Sequence, residues 1–146
     1  MAAIKAVQVS ARMGEGFTIE SKIRDHTLYV DQPKSSGGKD AGPTPLEYLF
    51  LSLAGCIASI GRIVATQQKL PVTGMEMEVK GELDTEVLLG KTSAGRAGFT
   101  GLTVSVKVHG DMSEADKLKF LHEVDRRCPV SDNLMNTTPV KVELAR

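Results

Sequence analysis

The chain has no tryptophan, two cysteines in 146 residues, and aromatic side chains at only 4%. So few rings leave little on which bases could stack, which argues against a nucleic-acid platform. Neither sign of charge is in excess, with 18 basic residues against 18 acidic. Nothing therefore draws the chain as a whole toward nucleic acid or an anionic membrane. The opening stretch, MAAIKAVQVSARMGEG, alternates polar with apolar and lacks an apolar h-region, so it does not read as a secretory signal. With no such signal and so little cysteine, the expected compartment is the reducing cytoplasm. There a cysteine pair is more often catalytic, redox-active or incidental than a structural staple. His26, His109 and His122 show no ligand spacing, and the cysteines lie far apart in sequence. No metal and no cofactor is expected.

What the sequence does have is one long apolar stretch, Thr44 to Lys69. Thr44 can cap a helix, Pro45 suits its first position, and Glu47 completes a T-x-x-E capping box. Leu46, Leu49, Leu53, Ile57, Ile60 and Val64 then recur at helical spacing, and Phe50, Leu51, Ala54 and Ile63 widen the stripe. A helix apolar on most sides is expected to be buried inside its protein. Ser52, Ser59 and Arg62 interrupt the run, which argues against an unbroken membrane span of about 20 apolar residues. One cysteine, Cys56, stands in the middle of this helix.

The rest of the chain reads as short strands and one further helix. Lys5 to Ala11, Phe17 to Ile23 and Thr27 to Asp31 alternate as three antiparallel strands. Gln32 to Pro43 is a Gly-, Pro- and Ser-rich loop, long enough to cover a site. Val72 to Asp84 and Leu102 to Val108 alternate again across a loose connection that contains KTSAGRAG. A second helix starts at Ser113 and runs to about Arg127. Pro129 follows, and Cys128 stands as N-cap of one or two further turns. Val140, Val142 and Leu144 suggest a last strand. The predicted order is βββ–α–ββ–α–β, an α+β fold in a single domain over residues 1–146. One six-stranded sheet and one amphipathic helix would cover only part of the long helix. A homodimer that buries the remainder follows from that shortfall, although a curled sheet would do the same.

For Cys56 the plain interpretation is packing, since free cysteine is among the most buried residue types. Inside an apolar helix its thiol also resists ionisation unless a cation from another segment offsets the burial. Local physics favours Cys128 as the reactive thiol, because it sits at a helix N-terminus and follows Arg126 and Arg127. The alternative is that those arginines form a solvated helix end that complements the C-terminal dipole. Glu47 has the capping box as its default role, and Arg12 and Arg24 sit at hairpin mouths. Tyr48 and Ser52, on the long helix, complete the set of candidate supporting residues.

Taken together, GGKDAGPTPLEYLFLSLAGC (Gly37 to Cys56) and RRCPVSDNL (Arg126 to Leu134) resemble the two cysteine motifs of the OsmC/Ohr family. These are the osmotically inducible and organic hydroperoxide resistance proteins, and the GPTPLE signature is similar to the OsmC-like branch. The resemblance implies an intertwined homodimer with strands wrapped around two central helices. It also implies thiol peroxidase chemistry, on organic hydroperoxides with hydrogen peroxide as a further candidate substrate. In that scheme Cys56 matches the attacking cysteine, Cys128 the resolving one, and Arg12 the arginine that stabilises the thiolate. A dithiol such as a lipoyl protein would be the reductant, with no nucleic-acid or membrane partner. Leu46 stands where the best-studied branches of the family have a glutamate that orients the arginine. At about 100° per residue, Glu47 falls on the helix face opposite Cys56. An alternative is a non-catalytic protein that binds a small molecule in a cysteine-lined pocket at the dimer interface. A third option makes both cysteines inert core residues.

Overall fold

The computed structural model describes residues 2–146. The chain divides into two compact units, Met1–Leu49 and Phe50–Arg146. In the first, β1 (Ser10–Met13), β2 (Ile19–Ile23) and β3 (His26–Val30) form an antiparallel sheet in the order β1-β2-β3. The register sets Arg12 opposite Glu20, and Glu20 opposite Tyr29. After β3 the chain enters the loop foreseen from its composition, which contains a short 3-10 turn at Lys34–Ser36.

This loop is organised by Asp31, which is only 1% exposed. Its carboxylate accepts hydrogen bonds from Thr18 Oγ1 at 2.9 Å and from the backbone N–H groups of Gln32 (2.7 Å), Lys39 (3.3 Å) and Ala41 (3.2 Å). Burial opposes the charge, but these donors outweigh it and hold the carboxyl below its ordinary value. The loop lies so close to its own unit that a Cβ on Gly42 would meet the Tyr29 carbonyl oxygen. Only glycine permits that approach.

The long helix α1 spans Pro45–Gln67. Its capping box forms: Thr44 N–H donates to Glu47 Oε2 at 2.6 Å, and Glu47 N–H donates to Thr44 Oγ1 at 3.3 Å. At the far end Lys69 adopts φ 52°, and Leu70 N–H donates to the Ala65 carbonyl at 2.9 Å, a Schellman-type stop reinforced by Pro71. By length and composition α1 could cross a membrane, because its polar breaks do not offset its apolar content.

In the second unit, β4 (Val72–Glu82) pairs antiparallel with β5 (Gly101–Gly110). Cross-strand pairs Met75–Val108, Met77–Val106 and Val79–Val104 gather the apolar side chains on one face, as the alternation requires. The connection between them is less loose than its composition suggests. It holds the short helix α2 (Thr85–Leu88), capped by Asp84, and Phe99 stacks on Phe50 at 4.9 Å. Helix α3 (Glu114–Arg127) starts where expected, with Ser113 Oγ accepting from Asp116 N–H at 3.1 Å. Helix α4 (Pro129–Met135) follows directly. The core of this unit joins Leu53, Ile57, Val64 and Ala65 of α1 with Val72, Val108, Phe120, Val124 and Cys128. Gly61 lets α1 come close, since its missing Cβ would fall against Met75 Sδ.

Three expectations need correction. The last strand, over Val140, Val142 and Leu144, is not formed, and residues 137–146 carry neither helix nor strand. The first strand covers Ser10–Met13 and not Lys5 to Ala11. The described residues form two sheets, of three and two strands, in place of one six-stranded sheet. The cause is shared. Alternation assigns faces, but a strand also needs a neighbouring backbone to satisfy its N–H and C=O groups. Among the described residues none pairs with either terminal segment. The long helix is likewise buried along one stripe only, with Leu51 61% and Ile63 43% exposed. The architecture is nonetheless mixed α+β, with antiparallel sheets and four α-helices among the described residues.

Candidate active site

The two cysteines, remote in sequence, meet in the second unit. Cys56 lies mid-way along α1 and packs, partly buried, against the core cluster that contains Cys128. Cys128 is fully buried at the junction of α3 and α4. Cys56 is close enough to contribute to the upward shift of the Cys128 pKa. Both are free thiols. Cys128 Sγ is also the N-cap of α4, accepting the Ser131 N–H at 3.4 Å.

The environment of Cys128 reverses the local expectation that it is the more easily ionised thiol. Burial is the largest influence and pushes its pKa up. The amides of Ser131 and Val130 pull it down, but Cys56 beside it pushes it up again, and the net direction is upward. The arginines that were expected to help are engaged elsewhere. Arg126 makes a two-pronged pair with Glu123, both contacts at 2.9 Å. Arg127 donates to Gln67 Oε1 at 3.0 Å and lies 3.8 Å from Glu123. A helix end of two turns is too weak a field to offset full burial.

The remaining candidates sit as follows. Arg12 is exposed on β1, opposite Glu20. Arg24 is exposed in the β2–β3 turn with φ 54°. Glu47 is held by Thr44, whose backbone and side chain keep its carboxyl below the ordinary value. Tyr48 Oη donates to the Tyr29 carbonyl at 2.8 Å and so ties the first turn of α1 to β3. Ser52 is exposed on α1. No group of three or more His, Cys, Asp or Glu that could hold a metal occurs among the described residues. Sequence reasoning missed Asp31 and Ser131. A strand-end aspartate before a Gly-rich loop was the only signal for the first, and nothing local marked the second.

Comparison with known proteins identifies the family and the fold. A sequence model of OsmC-like proteins matches residues 37–143, which include both cysteines. A hydroperoxide reductase of Mycoplasma genitalium is 22% identical over 142 residues, covering 97% of this chain and 95% of the relative. The crystal structure of an OsmC-like protein from Mycoplasma pneumoniae superposes with a TM-score of 0.79 at 22% identity, covering 91% of this chain and 89% of that one. An organic hydroperoxide resistance protein from Legionella pneumophila gives 0.68 at 19% identity, with 91% of each chain covered. Both structures share the fold. The chain belongs to the OsmC-like protein family.

Proposed function

We propose that the protein is a thiol-dependent peroxidase that reduces organic hydroperoxides, with Cys56 as the attacking thiol and Cys128 as the resolving one. The observation that carries this reading is that both thiols belong to one packed cluster, with Cys56 half-buried against the core that includes the fully buried Cys128. The Cys56 thiolate attacks the O–O bond, which breaks to give a sulfenic acid on Cys56 and an alkoxide that leaves as the alcohol. The Cys128 thiol then condenses with the sulfenic acid, forming the disulfide and releasing water. An external dithiol, such as a lipoyl-bearing protein, returns both sulfurs to thiols by exchange. Cys128 suits the second role, since its burial and its neighbour keep it protonated until the sulfenic acid forms. Apolar neighbours suit an alkyl hydroperoxide better than hydrogen peroxide, because the alkyl group leaves water on binding. The relative named hydroperoxide reductase supports the same reading.

Arg12 is the proposed counter-charge for the Cys56 thiolate. Glu47 does not serve it in this scheme, being committed to the helix cap. The working form is a homodimer in the cytoplasm. Its support is the apolar surface that one chain leaves uncovered: Ile4, Val7 and Val9 at one end, Val140, Val142 and Leu144 at the other, and Leu51 and Ile63 on α1.

The test is to treat the reduced protein with a stoichiometric organic hydroperoxide and map the product by mass spectrometry. A Cys56–Cys128 disulfide is expected, and Cys56→Ser should consume no peroxide. Two thiols that stay free would end the proposal. A second reading, a small-molecule-binding protein with a cysteine-lined pocket at the dimer interface, is favoured by Leu46 standing in place of the glutamate. Native mass spectrometry that found a retained ligand and no oxidation would support it instead.

A further inference from the structure

The bend between α3 and α4 turns on Cys128. Its N–H closes α3 on the Asp125 carbonyl at 3.1 Å, and its carbonyl takes the Asp132 N–H at 3.0 Å to open α4. Pro129 at the first position of α4 keeps the two helices from running on as one. These backbone bonds leave the thiol free to rotate. What fixes it is the Ser131 N–H, which donates to Cys128 Sγ at 3.4 Å. The same serine has a second attachment. Its hydroxyl reaches back across the bend and donates to Asp125 Oδ1 at 2.6 Å, a short charge-assisted bond. A serine within a helix more commonly turns to its own i−4 carbonyl or to water.

Asp125 is out of place by local electrostatics. A carboxylate in the last turn of α3 lies at the negative end of that helix. The arginines that follow it do not neutralise it, since Arg126 and Arg127 both turn to Glu123. Its charge is spent on the Ser131 hydroxyl instead. We propose that Asp125 and Ser131 are positioning residues for Cys128: their hydrogen bond braces the α3–α4 bend, keeps the Ser131 N–H on the sulfur and presents the thiol in one orientation for disulfide closure. This rests on the reading of Cys128 as the resolving thiol. In that step the sulfur–sulfur bond forms as the sulfur–oxygen bond of the Cys56 sulfenic acid breaks, and the thiol proton leaves with the hydroxyl as water. Negative charge gathers on the Cys128 sulfur as its proton departs, and a donor already aimed there favours it without rearrangement. Without the brace the amide and the sulfur drift together, and a misplacement of about 1 Å can cost about 100-fold in rate.

The experiment uses the full reduced chain with one equivalent of cumene hydroperoxide, quenched at intervals. Dimedone traps the Cys56 sulfenic acid, and intact mass follows the disulfide. A parallel series uses diamide, whose N=N bond takes up the Cys56 thiol; Cys128 then displaces the hydrazine, so closure is read without peroxide. Ser131→Ala and Asp125→Ala should each slow closure by roughly tenfold or more in both series. Loss of the hydroperoxide itself should keep its wild-type rate, so trapped sulfenic acid accumulates. Ser131→Thr keeps the hydroxyl and should restore closure. Asp125→Ala also removes an unfavourable charge from the end of α3, so its Tm should hold while its closure slows. Closure at the wild-type rate in either alanine variant sinks this inference and leaves the peroxidase reading intact. So does slowing that follows a fall in Tm and that Ser131→Thr does not relieve, which would make the bond merely structural. A wild type that closes with diamide but ignores the hydroperoxide sinks the peroxidase reading, and the diamide series then decides the positioning role alone. A wild type that closes with neither oxidant ends both.

Discussion

The Cys128 thiol accepts the Ser131 amide at 3.4 Å, so the sulfur proposed to resolve the sulfenic acid is also the cap of α4. Bonding that sulfur to Cys56 redirects it and weakens it as an acceptor. Oxidation should therefore uncap α4, at a cost below about 1 kcal/mol given that oxygen caps contribute about 0.5–2. Amide hydrogen exchange at residues 130–135 should be faster in the peroxide-treated protein than in the reduced one. Cys128→Ser supplies a stronger cap and should show no such change. Equal exchange in the two redox states would discard the coupling.

The pH response should have two edges. Asp31 has a folded pKa below its ordinary value of 3.8, so the stability it contributes is present above that value. It is lost as pH falls through the lower, folded value. Cys128 is shifted the other way, above 9.0, so its contribution is complete below 9.0 and is lost as pH rises toward the folded value. Thermal melts of Asp31→Asn should show a lower Tm near neutral pH and a flatter loss of stability in acid. Cys128→Ser should flatten the alkaline edge. An acid limb unchanged by Asp31→Asn would remove Asp31 as its source.

Phe120 is 2% exposed, and its ring edge lies over Gly61. Phe120→Ala should destabilise the protein by about 3–5 kcal/mol, through lost burial and the cavity left behind. Urea denaturation measures this directly. A loss under about 1 kcal/mol would mean that α1 and α3 collapse onto the gap.

Arg24 holds φ 54°, a conformation disfavoured for any residue with a Cβ. Arg24→Gly should raise stability by up to about 1 kcal/mol, the relief exceeding the extra chain entropy of glycine. The same variant should leave peroxide consumption unchanged, since an exposed turn residue has no part in the proposed chemistry. A drop in turnover at unchanged stability would return Arg24 to the site.

What the sequence revealed and what it concealed divide along a physical line. The capping boxes at Thr44 and Ser113, the stop at Pro71 and the paired faces of β4 and β5 depend on residues close in sequence or on a simple period. All of these were legible. Val140 to Leu144 alternates as well as any strand, but its pairing depends on a neighbour that the pattern does not encode. Asp31 was invisible because its four donors come from Thr18, Gln32, Lys39 and Ala41, assembled only by the loop's path. For Cys128, local electrostatics pointed downward in pKa, while burial, a tertiary property, decided the direction. The pairing of the two cysteines came from family resemblance. No spacing rule connects Cys56 with Cys128.

The uncovered ends of the chain carry a thermodynamic consequence. Ile4 and Val7 at 89% and 81% exposure, and Val142 and Leu144 at 93% and 89%, contribute nothing to the folding of an isolated copy. If a second copy covers them, their burial is a bimolecular term, and the melting temperature becomes a function of dilution. The same protein would then be robust when abundant and fragile when scarce, with no change in sequence or solvent.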